Sequence, residues 1–360
     1  MASTYKRLLK SDITSTKTLL HEAVPITGTI VSGTYDDGNI KTYSHGMFQS
    51  VYDYPFLSSS ANHIFDISEG YSSVSNLSSS TNEQNAKKIN VYNQLAQLGF
   101  GYDKDGNIER FDEDGDIAAG GAKINESIFF TFSRLLIKDE IKKGTFSLIL
   151  GVSGTYATAH GQQIKITDKD GVNGFKVNSP VGEYGILYAE NHLETPINSA
   201  KLTGGYAKCG LIYYQAGIAV LTASVFMSAS NGFGLSTSAT MASSGENFEQ
   251  LLTGSIVDTG ANAIRHRIQN LSFNNTTELN STIYFCRINH NEYNYSSNPT
   301  YVSGSEIRVK GGIQSNNPVS YISSVGLYSA DNQLLAVGKL SEPLRKDPTI
   351  EYTLRARLDY

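Results

Sequence analysis

Three places in this 360-residue chain gather residue types that do chemistry. Ser153 lies in the turn Gly151-Val152-Ser153-Gly154 with His160 close behind it, the pair of types that a serine nucleophile and its base require. A nucleophile also needs a turn that exposes its hydroxyl, and the GxSxG elbow is absent, so a glycine-rich turn is the expected reading. The acidic runs Asp103-Lys104-Asp105-Gly106-Asn107 and Asp112-Glu113-Asp114-Gly115-Asp116 offer oxygens to a hard cation. A helix–loop–helix calcium site places its glycine sixth in the loop, whereas Gly106 and Gly115 stand fourth in their runs. Hairpin tips of the Asp-Gly kind explain these residues without a metal. Arg265-His266-Arg267 is the one basic cluster of note. In an alternating strand Ile264, His266 and Ile268 share one face and the two arginines the other, which reads as a solvated or partner-facing surface.

The remaining chemistry is negative. No HExxH, GxxxxGK[ST] or CxxC pattern occurs, and Gly338-Lys339 is followed by Leu340 where a phosphate loop needs a hydroxyl. The seven histidines include no pair at helical spacing. Cys209 and Cys286 stand far apart and are expected as reduced thiols. No catalytic residue, cofactor site or metal ligand is therefore assigned, no cofactor is expected, and the chain is read as a non-enzyme.

The elements that must position these residues read as α+β, mostly antiparallel β, with helices in the N-terminal half. Residues 1–25 are too ragged for a helix, 26–35 read as a strand, and Asp36-Asp37-Gly38-Asn39 as a turn. Thr81 and Gln84 have capping-box spacing and open a helix that Gly99 closes. A second helix is expected from about Asn125 to Gly144, because Ile128, Phe129, Phe132, Leu135 and Leu136 recur at helical intervals. Between the two, 100–111 reads as a hairpin around Asp105-Gly106. Strands are expected at 146–152, 184–189, 211–214 and 218–226, the last two joined by Gln215-Ala216-Gly217. Two more, 263–273 and 279–290, are expected to flank a turn at Asn274-Asn275-Thr276-Thr277. At the end Ile350, Tyr352, Leu354, Ala356 and Leu358 alternate with polar residues, a half-buried strand with one wet face. The domain reading is a mixed α+β assembly domain at 1–227, a Gly/Ser-rich connector at 228–247, and a C-terminal β-sandwich docking domain at 248–360.

Composition narrows the class. With 29 Lys and Arg against 34 Asp and Glu, the net charge of −5 argues against nucleic acid as the main partner. MASTYKRLLK has no apolar segment behind its charges, so no signal peptide is expected. The most apolar window, 209–229, holds Gln215 and recurring hydroxyls and reads as a hairpin, so membrane insertion is not expected either. Charged residues make up only 18%, while there are 22 Tyr and no Trp. Tyrosine gives contact area with a polar tip, which suits surfaces that become interfaces.

Residues 321–346, YISSVGLYSADNQLLAVGKLSEPLRK, resemble a pattern in tail proteins of tailed bacteriophages, notably fibre-attachment domains and baseplate components. The positions concerned are Gly326, Leu327 and Tyr328, then Leu335, Ala336, Val337 and Lys339, then Pro343 and Lys346. Residues 210–222 resemble a strand–turn–strand element of the same proteins, and 48–70 and 284–301 are similar to virion structural proteins of marine T4-like phages. The resemblance implies a structural subunit of the virion, in tail or baseplate, assembled in the host cytoplasm. It implies contacts with other virion proteins and with copies of itself, as a ring or trimer. Two alternatives stay open: a neck or capsid-associated virion protein, and a carbohydrate-binding or depolymerising tail protein in which Asp112 or Asp114 serves a sugar cleft.

Overall fold

The computed structural model describes residues 5–27, 39–54, 61–79, 83–115, 123–152, 154–228, 233, 240–254, 257–295, 302–303, 306–307 and 319–360. It is 48% strand and 20% helix, mostly antiparallel β, with one large open sheet. Contacts divide the chain into two units: Leu20–Thr277, and Met1–Leu19 with Glu278–Tyr360. The division falls inside strands; half of the expected 228–247 connector lies outside the described residues.

The larger unit opens on the second part of β1 (Ile13–Thr27), then β2 (Ile40–Thr42), β3 (Gln49–Tyr52) and β4 (His63–Tyr71). Helix α1 (Glu83–Gly99) leads to β5 (Glu126–Phe132), the single turn α2 (Arg134–Ile137), β6 (Glu140–Ile141), β7 (Ser147–Gly151) and β8 (Gln163–Thr167). The short α3 (Gly171–Gly174), β9 (Lys176–Ser179), β10 (Gly182–Leu193), β11 (Ala207–Tyr213) and β12 (Ile218–Thr222) follow. Helices α4 (Phe248–Gly254) and α5 (Val257–Arg267) then lead into β13 (Ile268–Ile288). Across the sheet the order is β13, β7, β8, β10, β11, β12, β5, β4, β3, β2.

Alternation sorts the central strands onto two cores. Ile128, Phe130, Ile212, Tyr214, Ala219 and Leu221 join one apolar cluster, while Phe129, Leu211, Tyr213, Ile218 and Val220 join the other with Tyr92, Phe100 and Phe111. The middles of β5, β11 and β12 are thus dry on both faces, and their sequences hold the apolar runs 128–130, 211–213 and 218–221. Gly217, at φ +66°, makes the expected turn between β11 and β12.

Several expectations are met. Helix α1, the hairpin bridged by Tyr102 and Ile108, and strands β7, β10 and β11 lie where the sequence places them, while the strand expected at 218–226 ends at Thr222 and gives way to a helical turn.

Others are corrected. The helix expected over 125–144 is strand β5 followed by one helical turn, which ends at Lys138 with φ +56°. A strand buried on both faces shows no period of two, so its apolar residues mimic helical spacing. Of the strand expected at 263–273, residues 263–267 are the end of α5 and 268–273 open β13, which runs unbroken through the supposed turn at 274–277. Asn275 and Thr276 are buried there because other chain segments satisfy them. Asn275 Nδ2 donates to the Leu136 carbonyl at 2.8 Å, and both residues pair with β6. The ragged 1–25 segment contains most of β1, a strand of exposed Thr and Ser residues. Positions 28–38 lie outside the described residues, so most of the expected strand at 26–35 and the turn after it are not placed.

The smaller unit holds the rest of β1 and β13, β14 (Val302–Ser303), β15 (Glu306–Ile307), β16 (Ser320–Tyr328), β17 (Leu334–Lys346) and β18 (Tyr352–Asp359). Strand β18 pairs with β13, from Ser281 opposite Asp359 to Ile288 opposite Tyr352. The motif at 321–346 forms the antiparallel hairpin β16–β17. Burial along β18 alternates as the sequence predicts, with Leu354, Ala356 and Leu358 on the more covered face.

Candidate functional site

The described residues of the sequence candidates make extensive contacts within the chain. Ser153 lies outside the described residues, so no nucleophile–base geometry is built on it. His160 packs beside Gly151, its ring 6.3 Å from that of His266, and His266 stacks on Tyr156 at 4.0 Å. Burial holds both histidines below the usual range, helped by the positive neighbours Arg265 and Arg267 at His266. Arg267 is no solvated side chain, contrary to the strand reading, for the helical register of α5 turns it wholly inward. Its guanidinium donates to the carbonyls of Gly151 at 3.1 Å, Gly154 at 3.4 Å, Ala159 at 3.5 Å and Thr240 at 2.7 Å. Burial lowers its pKa to about 10. Its planar fork suits several carbonyls at once, so the arrangement clamps the 151–160 loop onto the end of α5.

The acidic run divides in two. Asp103 closes its own hairpin, accepting from the amides of Asp105 at 2.9 Å and Asn107 at 2.8 Å, which holds its carboxyl below the ordinary value. Asp112 is buried against Lys123 at 2.9 Å, and Lys123 also meets Glu109 at 3.1 Å. Among the described residues no group of three His, Cys, Asp or Glu is placed to hold a metal ion, and Asp116 lies outside them.

Glu113 behaves differently. Burial raises its pKa to about 7, with Asp112 and Asp114 adding to the rise and Lys201 opposing it. A carboxyl whose folded pKa exceeds its unfolded value keeps its proton better when folded, so it withdraws stability as pH climbs from about 4.5 to 7. Glu113→Gln should therefore stabilise the larger unit at pH 8 by about 2 kcal/mol and be neutral near pH 4. Thermal unfolding followed at both pH values checks this; a gain of equal size at both would overturn it.

Cys209 and Cys286 are free thiols, and Cys209 is fully buried. Burial pushes both thiols up, away from the reactive thiolate. Tyr213 and Tyr214 are core residues, whereas Tyr54, Tyr293 and Tyr295 are exposed.

The feature that sequence reasoning did not isolate is the interior of the smaller unit. Among the described residues its buried apolar set holds Ile288 alone, while its buried polar set holds Asp12, Ser281, Thr282, Ser320, Lys346 and Asp347. Polar knots do the work of a core. The Lys346 ammonium donates to the His290 carbonyl at 3.1 Å, Asn294 Oδ1 at 2.5 Å and the Asp347 carbonyl at 2.7 Å. Asp12 meets Arg287 at 2.7 Å, and Asp359 accepts from Ser281 at 2.5 Å and Arg357 at 2.7 Å.

Apolar side chains meanwhile stay open to water. Leu334 is 52% exposed, Leu335 67% and Val337 66%. A groove of about 320 Å³ includes Val337 in its lining, together with the apolar Val325, Leu327, Leu340 and Leu354 and the basic Lys339, Arg355 and Arg357. A two-stranded hairpin is marginal in water without a covered face. Contiguous open apolar surface of this kind marks a binding surface.

Comparison with protein families, with curated proteins and with solved structures found no match to this chain. No helix among the described residues is long and apolar enough to cross a membrane.

Proposed function

We propose that the chain is a non-enzymatic structural subunit of a tailed-phage virion, in the tail or baseplate. It acts by symmetric self-assembly into a ring or trimer and by docking to neighbouring virion proteins, with neither nucleic acid nor membrane as its main partner. The observation that carries this reading is the smaller unit, which exposes its apolar stripe and buries polar groups instead. A sheet face left half-covered in the single chain becomes interior once a neighbour lies on it. On this reading the β-sandwich expected of 248–360 is confined to the strands of residues 278–360, since α4 and α5 occupy its first part. It is completed between subunits, with the second layer supplied by the partner. The hairpin β16–β17, which carries the resemblance to phage tail proteins, forms part of that face.

Removal of residues 352–360 tests the assembly reading. The deletion strips β18 from β13 and takes away one wall of the groove. Light scattering should then show loss of the assembled species, and α1 and its sheet should keep their circular dichroism. A truncated chain that still assembles would overturn the proposal, as would a full chain that stays monomeric and binds polysaccharide. Placement by labelling in an intact particle then tests the virion assignment itself.

A further inference from the structure

The groove has a geometry that specifies the form of what fills it. Strands β17 and β18 follow one another through residues 347–351 and touch at one end, where the Tyr352 hydroxyl donates to the Arg345 carbonyl at 2.8 Å. Beyond that point they part. Among the described residues β17 pairs with β16 and β18 with β13, so each keeps one edge without a strand partner. Consecutive residues 336–340 of β17 and 354–358 of β18 line the groove. Successive side chains of a strand point to opposite faces, so an unbroken run means that backbone as well as side-chain atoms line the groove. The groove is a wedge lined by two strands that each keep one edge without a strand partner among the described residues.

Charge argues for the occupant. The smaller unit carries 12 Lys and Arg against 9 Asp and Glu, a net +3, whereas the larger carries 17 against 25, a net −8. Lys339, Arg355 and Arg357 all line the wedge. Two wedges packed on each other would set these cations together, which like-charge repulsion opposes.

We propose that the wedge takes an extended segment presented by the acidic larger unit of a second copy of this chain. Backbone hydrogen bonds to the two free edges supply affinity, and the basic rim selects the acidic partner. The contact joins unlike surfaces, so it propagates head to tail and closes into a ring when the rotation allows. This inference deepens the assembly reading and rests on it.

The test uses the full chain. A mixture of isotopically light and heavy protein is treated with a carbodiimide, which joins amines to carboxylates in contact. Mixed-isotope cross-links from Lys339 to Asp or Glu within residues 20–277 are expected. The variant Lys339→Glu/Arg355→Glu should weaken self-association roughly tenfold or more, and added salt should weaken the unaltered protein in the same direction. Cross-links from Lys339 only to residues 278–360 of the other copy would overturn the inference, as would association indifferent to both charge reversal and salt. In those cases the assembly reading stands. If no association occurs under any condition, the assembly reading falls too. The cross-link map is read on unaltered protein, so a variant that fails to fold leaves the inference testable.

Discussion

Lys88→Met should cost the larger unit about 3–5 kcal/mol and lower its unfolding midpoint by about 10 °C. Lys88 projects from α1 and is fully buried. Its ammonium lies 3.2 Å from Glu69 Oε1 on β4, a carboxylate that is itself fully buried. The same ammonium donates to the carbonyls of Leu251 at 2.5 Å and Leu252 at 2.8 Å in the last turn of α4. One side chain therefore neutralises a dry carboxylate and satisfies helix-end carbonyls that would otherwise lack donors. Helix α5 packs over the pair at Gly260, where any Cβ would fall 1.9 Å from Glu69 Oε2. Methionine restores the volume but not the charge. Because the cost comes from stranding Glu69, adding Glu69→Gln to Lys88→Met should recover at least about 1 kcal/mol. Chemical denaturation of the two single variants and the double variant measures this; additive losses would show that the pair acts independently.

Arg267→Ala should be of similar size, about 3–5 kcal/mol, and Arg267→Lys should recover less than half of it. The guanidinium serves the carbonyls of Gly151, Gly154 and Ala159 in one loop and of Thr240 in a second chain segment. Removing it leaves those acceptors dry, whereas a single ammonium cannot span a planar fork's set of directions. Proteolysis should report the loss as early cleavage within residues 151–160, because the clamp on that loop is gone. A variant with the unaltered midpoint and cleavage pattern would refute the clamp.

Both residues show where sequence reasoning reached and where it stopped. Lys88 falls within a helix that the Thr81 cap and the spacing of Ala86, Ile89 and Tyr92 announce, but nothing local marks it as buried. Its partners lie on β4 and α4, distant in sequence. The alternation of Ile264, His266 and Ile268 points Arg267 to a solvated or partner-facing strand face. In the fold the alternation spans the junction of α5 with β13, where two periods meet and neither is sustained. Asn275 and Thr276 misled for a related reason. Such residues favour turns when they bond their own backbone, and here Leu136 and β6 bond them instead.

Local signals settled what needs only neighbours. The helical spacing of α1, the left-handed turn at Gly217, the Asp103 hairpin and the alternation along β18 depend on residues a few positions apart, and each is readable along the chain. Composition likewise carried the prevalence of antiparallel strand. Long-range burial settled the rest. Whether Phe129 belongs to a helix face or a doubly covered strand depends on two cores, one on each side of the sheet. Whether Leu354 and Val337 end in a core or at an open wedge depends on which strands fail to pair, and pairing between distant segments leaves no periodic trace in either of them.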